Sequence, residues 1–339
     1  MRGENNTYSY DYRYINGNYL VTYFNYRSTL VKEAFREGEE LISEFPDSID
    51  LKITNKCSTG CPFCHESSTP DGKTFDLEKT ITVLEQLPRL PIEIAIGGGN
   101  VLDVIPEATQ LVDWLISRGH RVRATINYKD ILNLNSEQRK FLSKFEGLGI
   151  SINSLDDKFL DFLNAINVPS WITDERSMSK YIQNLIKQEG DDYYEGILVF
   201  HVIAGVIPLN ELDLLVNKGN LPILILGFKQ WGRAKNKHLP GSITDFESWV
   251  KQYIFNNRYN LFDNDRLIKP TISFDNLALN QLHIKDSLLE EEWSRIFMGE
   301  EGQHSMYIDA VNGEFAKNST SPDRVSWNDI GLIEFFKNL

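Results

Sequence analysis

From Asp50 to about residue 228, short apolar runs alternate with segments in which apolar residues recur every three or four positions. The runs are DLKIT (50–54), IEIAIGG (92–98), RVRATIN (121–127), LGISIN (148–153), GILVFHVIA (196–204) and PILILGF (222–228). After the first run, Leu77, Ile81, Leu84 and Leu87 form one helical stripe. Pro106 suits the opening position of the next helix and Gly119 its close. Ser136 and Asn210 read as N-caps. Six strand–helix repeats of this kind predict an α/β protein with a parallel sheet, because parallel neighbours need helical crossovers. Periodicity alone does not choose between an open doubly wound sheet and an incomplete barrel. Both place ligands beyond the C-terminal ends of the strands.

The flanks follow other patterns. In YSYDYRYINGNYLVTYFNY, tyrosines and polar residues alternate around Asn16-Gly17, a type I′ hairpin signal. A short amphipathic helix is predicted through TLVKEAFREGEELISEF, residues 29–45. Beyond about residue 258 the repeat stops. PTISFDNLALNQL reads as a seventh strand and a short helix, SMYIDAVNGEF as a hairpin, and WNDIGLIEFFKNL as a closing amphipathic helix. The expected organisation is an N-terminal hairpin and helix (1–49), a core (50–258) and a small α+β extension (259–339).

Composition narrows the class. The 339 residues are 41% hydrophobic and 24% charged, a soluble globular balance. No run of eighteen apolar residues occurs, so no membrane span is expected. The opening MRGENNTYSYDYRY has no apolar signal-peptide core, which points to the cytoplasm. A net charge of −13 argues against a nucleic-acid backbone as the main partner. Within this acidic chain, Lys229, Arg233, Lys235 and Lys237 form a basic run, read either as a solvated loop or as a carboxylate-binding group. His201, in the fifth run, points either into the core or into a barrel interior.

All three cysteines, Cys57, Cys61 and Cys64, fall within the eight residues CSTGCPFC, just after the first strand. An odd number so tightly grouped is not a disulfide framework. Three thiolates can converge on one compact centre. A zinc site would want a fourth ligand or a water, with His65 as the neighbouring candidate. An iron–sulfur cube would leave one iron free of protein ligands.

CSTGCPFC resembles the cluster loop of the radical S-adenosylmethionine (SAM) superfamily. The resemblance covers roughly residues 50–258 and implies a partial (β/α)6 TIM-like barrel. It also implies that the three cysteines hold a [4Fe-4S] cluster whose open iron binds the methionyl end of SAM. Phe63, before the third cysteine, is implied near the adenine. Gly97 and Gly98 match the family's paired glycines after the second strand, while Gly99 and Asn100 depart from its following acid and proline. Backbone carbonyls of GGGN are then expected to receive the SAM amine. Asn127, Ser151 and Asn153 stand where the family holds ribose and carboxylate. Gly227 and Lys229 open the segment GFKQWGRAK (227–235), whose Gly-Arg-Ala resembles peptide-modifying members with a SPASM extension. YIDAVNGEFAKNS (307–319) resembles the SPASM hairpin without its cysteines, so no auxiliary cluster is expected.

The resemblance implies one-electron cleavage of SAM to methionine and a 5′-deoxyadenosyl radical, with electrons from a reductant such as a flavodoxin or ferredoxin. No cysteine remains to return hydrogen to a substrate radical. The substrate is read first as a peptide or protein side chain, with a nucleotide or small metabolite as the alternative. The first fifty residues look too short for a separate leader-peptide-binding domain. A non-enzymatic zinc- or metal-binding module is the reading from another class.

Overall fold

The computed structural model describes residues 12–24, 29–157, 186–187, 196–216, 222–236, 241–262 and 272–339. Residues 8–11, 25 and 26 of the tyrosine-rich stretch and Lys237 lie outside them. Three strands come first: β1 (Tyr12–Asn16), β2 (Tyr19–Phe24) and β3 (Thr29–Ala34), paired antiparallel in that order. The predicted hairpin is present, but its turn lies one residue later. Asn16 pairs with Tyr19, so Gly17 and Asn18 are the central residues. Gly17 sits at φ +58° and Asn18 has no positive φ. That is the II′ arrangement, with glycine first, rather than I′.

The helix expected over residues 29–45 is not formed. Its first part is β3, and no regular element follows before residue 48. The cause is tertiary: TLVKEA also alternates, and Lys32 on its inward side reaches a buried carboxylate. That carboxylate is Asp47, which anchors the small sheet to the rest of the chain. It accepts hydrogen bonds from the Tyr14 hydroxyl (3.2 Å), Asn16 Nδ2 (2.8 Å) and the Tyr19 hydroxyl (2.6 Å). The Lys32 ammonium stands 2.8 Å away. Burial, then the charge of Asp47, pushes both tyrosines above the ordinary phenol range. Three donors and one cation thus satisfy a charge that would otherwise be costly to bury.

The six apolar runs all become strands: β4 (Ser48–Thr54), β5 (Glu93–Gly98), β6 (Arg121–Asn127), β7 (Gly147–Ser151), β8 (Ile197–Ile203) and β9 (Ile223–Leu226). The predicted seventh is β10 (Ile272–Phe274), and the C-terminal hairpin supplies β11 (Ser305–Asp309) and β12 (Glu314–Ala316), followed by β13 (Arg324–Ser326). They make one sheet in the order β10-β9-β8-β7-β6-β5-β4-β11-β12-β13. Pairing is parallel from β10 through to β11. The hairpin therefore adds its first strand to the free side of β4, with Tyr307 beside Asp50 and Asp309 beside Lys52. The described crossover helices include α1 (Leu77–Leu84), α2 (Ile105–Ser117), α3 (Tyr128–Ile131), α4 (Ser136–Leu142) and α5 (Leu209–Leu214). Then come α6 (Ile243–Phe262), α7 (Asn276–Gln281), α8 (Glu290–Ile296) and α9 (Leu332–Lys337). The expected border near residue 258 falls inside α6. Pro106 opens α2 as predicted, and Gly119 follows its end at φ +86°. Asn135, not Ser136, caps α4, and α5 starts after Pro208 without an Asn210 cap.

Alternation along the strands separates two faces. Leu51, Ile96, Ala124, Leu148 and Leu198 are buried on the outer face, in one core with Leu111 and Leu115 of α2 and Phe335 and Phe336 of α9. The inner face carries Asp50, Lys52, Gly97, Thr125, Gly149 and His201, so His201 looks inward. Its ring crosses β7 so closely that a Cβ on Gly149 would lie 2.2 Å from Cε1. The sheet curls. β4 and β9 are five positions apart, about 24 Å in a flat sheet, yet Lys229 just after β9 acts electrostatically on Asp50 of β4.

Removing the Asp47 carboxylate should take away the counter-ion of Lys32 and the acceptor of the Tyr14 hydroxyl, while the Tyr19 hydroxyl keeps Ser43. Asp47→Ala is expected to lower unfolding free energy by about 3–5 kcal/mol in chemical denaturation. A second expectation concerns pH. Burial holds His120 and His304 down at about 4, against about 6.5 in the unfolded chain. Between these values the unfolded state binds more protons, so stability should fall as pH drops from about 6.5 towards 4. Denaturation midpoints measured across pH 7.5 to 4.5 check this.

Candidate functional site

The C-terminal end of β4 runs directly into the cysteine loop. Residues 69–73 return alongside residues 55–57. The Asn55 amide donates to the Lys73 carbonyl (2.8 Å), the Thr69 amide to Asn55 (3.0 Å) and the Cys57 amide to Thr69 (2.8 Å). The end of β5 docks on the other side, with the Gly99 amide donating to the Thr54 carbonyl (2.6 Å) and the Asn100 amide to Lys56 (2.8 Å). This contact explains two of the three glycines. A Cβ on Gly98, at φ +107°, would lie 2.4 Å from the Thr54 oxygen, and one on Gly99 2.1 Å from the Lys56 oxygen. The close approach they permit is of the chain to itself. Gly97 differs: nothing lies within 4 Å of its added Cβ, which faces open space on the inner side.

Cys57, Cys61 and Cys64 are free thiols, each partly exposed. Burial, then the charges of Cys64 and Cys57, pushes the Cys61 thiol up, with Arg233 opposing. The three sulfurs are therefore electrostatic neighbours. A single zinc ion needs its ligands at about 2.0–2.3 Å from one point. Among the described residues, no three His, Cys, Asp or Glu side chains are grouped to hold one ion.

The loop is braced from the opposite rim. After β9, a 3-10 turn, Gly232–Ala234, lies against it. The Arg233 amide donates to the Cys64 carbonyl (3.0 Å), its Nε to the Cys61 carbonyl (3.0 Å) and its Nη1 to the Ser68 carbonyl (2.5 Å). Gly232, at φ +56°, passes so near that a Cβ would lie 2.2 Å from the His65 carbonyl oxygen. Phe63 packs into a small apolar group with Val206, Phe228 and Ala234. The brace is itself held from α7, where the Asp275 carboxylate accepts from the Gly227 amide (2.9 Å). Gln281 bonds both the amide and the carbonyl of Phe228 (2.8 and 3.0 Å). A Cβ on Gly227 would strike Leu277 at 2.4 Å, so its glycine serves the α7 contact.

Other predicted positions divide. The Asn100 side chain caps a 3-10 turn through the Leu102 amide (3.1 Å) and donates to Asp130 (3.2 Å), so it is already engaged. The Asn127 side chain caps α3 at the Lys129 amide (3.0 Å). Asn127, Ser151 and His201 lie side by side in one row of the ladder. The Asn153 side-chain oxygen is buried without a partner. Lys229 Nζ donates to the Ser319 hydroxyl (2.8 Å). Arg233 of the basic run grips carbonyls, not a carboxylate.

Sequence reading missed a charged network beneath the loop. Lys52 Nζ lies 2.7 Å from Glu66 and 3.0 Å from Asp309, with Lys52 and Asp309 buried and Glu66 partly so, and the Tyr307 hydroxyl donates to Glu66 (3.1 Å). Burial would raise the Glu66 carboxyl, but His65 and Lys52 outweigh it and hold it at about 2. Burial keeps His65 itself down. The available signal was the lysine inside the apolar run DLKIT.

The sequence matches no family model and no curated protein. Solved structures do match. Streptococcus suis SuiB bound to the precursor peptide SuiA is 13% identical, with a TM-score of 0.56, covering 87% of this chain and 65% of that one. SuiB bound to S-adenosylmethionine is 12% identical, with a TM-score of 0.55 over 87% and 66% of the two chains. Native anSMEcpe with bound AdoMet and the Kp18Cys peptide is 14% identical, with a TM-score of 0.51 over 86% and 82%. The chain thus spans just under two thirds of the length of the SuiB chains. At these identities the likeness is one of fold: α/β, a partial barrel built on a parallel sheet.

The glycines predict separable effects. Gly98→Val should strain the backbone and force β5 off the Thr54 carbonyl, lowering the melting temperature and loosening the cysteine loop. Gly97→Ala should leave the melting temperature within about 2 °C of the parent, since its Cβ meets nothing. Thermal unfolding of both variants, with thiol accessibility to an alkylating reagent, distinguishes them.

Proposed function

We propose that this chain, built on the partial barrel that radical SAM enzymes use, is itself a radical SAM enzyme carrying one [4Fe-4S] cluster. The observation that carries this reading is the cysteine loop at the C-terminal mouth of the sheet, with three free, mutually interacting thiols on a backbone fixed from two sides. The donor set fits the group: a cube takes one thiolate on each of several irons, so its ligands need not converge on a single point. Cys57, Cys61 and Cys64 would hold the cluster. The open inner side of Gly97 leaves room for the methionyl end of SAM. The orphaned oxygen of Asn153, with Ser151 and Asn127, offers polar partners for the rest of SAM, and a buried acceptor without a partner is a reason to expect a ligand. The usual acid after β5 is missing. With Asn100 engaged as a cap, backbone carbonyls remain to receive the SAM amine. When bound, the cluster and SAM supply one-electron cleavage to methionine and a hydrogen-abstracting nucleoside radical. The chain's own part is to orient these groups and exclude water from the inner face.

The substrate we propose is a peptide or protein side chain. In support, two of the fold's relatives are solved with peptides bound, SuiA in SuiB and Kp18Cys in anSMEcpe. A one-electron carrier such as a flavodoxin or ferredoxin would reduce the cluster, and an oxidisable cluster suits the cytoplasm. No helix among the described residues is long and apolar enough to cross a membrane.

Anaerobic purification tests the reading. The reconstituted chain should carry about four irons and four sulfides and release 5′-deoxyadenosine from SAM under dithionite. Cys57→Ala, Cys61→Ala and Cys64→Ala should each abolish both, since no further cysteine exists to substitute. Stoichiometric zinc without iron in the anaerobic protein would sink the proposal.

A further inference from the structure

Arg233 is the cation that grips the cysteine loop, and it does so through carbonyls rather than a carboxylate. Its guanidinium donates to two loop carbonyls, those of Cys61 and Ser68, while its backbone amide takes that of Cys64. Its Nη2 is buried with no partner. Two of the three cysteines are thus held through their carbonyls by one residue from the opposite rim. A planar fork can do this where a lysine, as a single point of charge, cannot. The cation is also fixed. Gly232 seats the turn against the His65 carbonyl, and Ala234 is buried beside Phe63.

A cluster on three thiolates is anionic, and more so once reduced. A partly buried cation held by hydrogen bonds to two loop carbonyls favours the state with the extra electron. We infer that Arg233 is the positioning residue of the cluster: its fork sets the cysteine loop before iron arrives, and its charge raises the potential at which the cluster accepts an electron. This rests on the cluster reading above, and the two parts separate by substitution. Arg233→Lys keeps the charge and loses the fork. Arg233→Gln loses the charge.

The test uses the full chain, reconstituted anaerobically, as parent and both variants. Four quantities are measured: iron and sulfide per chain, the rate of iron loss to a chelator, the midpoint potential by dye-mediated titration followed by electron paramagnetic resonance, and the melting temperature of each apo form. Both variants should lose iron at least about fivefold faster than the parent, as expected for losing one or two hydrogen bonds. Only Arg233→Gln should shift the potential negative, by about tenfold in the reduction equilibrium, or about 59 mV for one electron. Apo melting temperatures near the parent's would show that the sheet is intact and assign the effects to the loop. Iron retention equal to the parent's in both variants overturns the positioning role. A potential shift in Arg233→Lys as large as in Arg233→Gln, or none in either, overturns the charge role. A parent that binds no iron fails the cluster reading itself, and this inference falls with it.

Discussion

The mouth of this sheet depends on two carbonyls. Thr54 and Lys56 turn their oxygens towards β5, and the amides of Gly99 and Asn100 meet them. Nothing with a side chain at positions 98 and 99 could come so close. With that contact made, the chain between β4 and the first cysteine has one path, and the returning segment 69–73 fixes its other side. The bracing turn after β9 then has a defined surface to grip. The thiols themselves contribute little to this order. Their loop is shaped by backbone hydrogen bonding.

Charge follows a matching logic on the inner face. Lys52 has Glu66 and Asp309, Arg121 has Glu146, and Arg123 has Glu93. Asp47 is surrounded by donors where the small sheet meets the start of β4. Each pair links segments distant in sequence, so each acts as a check on assembly as much as a source of stability. Asp47 gathers most of the buried polar ties of the small N-terminal sheet, which Arg121, over the Tyr23 ring, supplements from β6.

The six strands were readable because each is a short run with one buried apolar face, set between segments of helical period. The cysteine loop was readable because its chemistry needs one residue type at set spacings. What was not readable depended on partners elsewhere. TLVKEAFREGEELI carries both a helical and an alternating pattern, and the pairing of Lys32 with Asp47 decides for the strand. Gly98 and Gly99 announce a close approach without saying to what. Arg233 sits in a basic run that has the same local appearance whether it faces water or grips a carbonyl. The pairing of β11 with β4 leaves no local trace, since register across such a separation is set by neighbours in space.

That last pairing also bears on how the molecule is made. Lys52 and Asp309 are 257 residues apart, so at ribosomal rates of about 5–20 residues per second the free edge of β4 waits roughly 13–50 s for its neighbour. During that interval a central hydrophobic strand is an open template for pairing with another chain. Lys52 stands in the middle of it, an ammonium without its later counter-ion Asp309. A lysine on a strand deters unwanted association at an edge. The same side chain that ties the finished sheet together therefore guards the unfinished one, and its function changes at the moment β11 arrives.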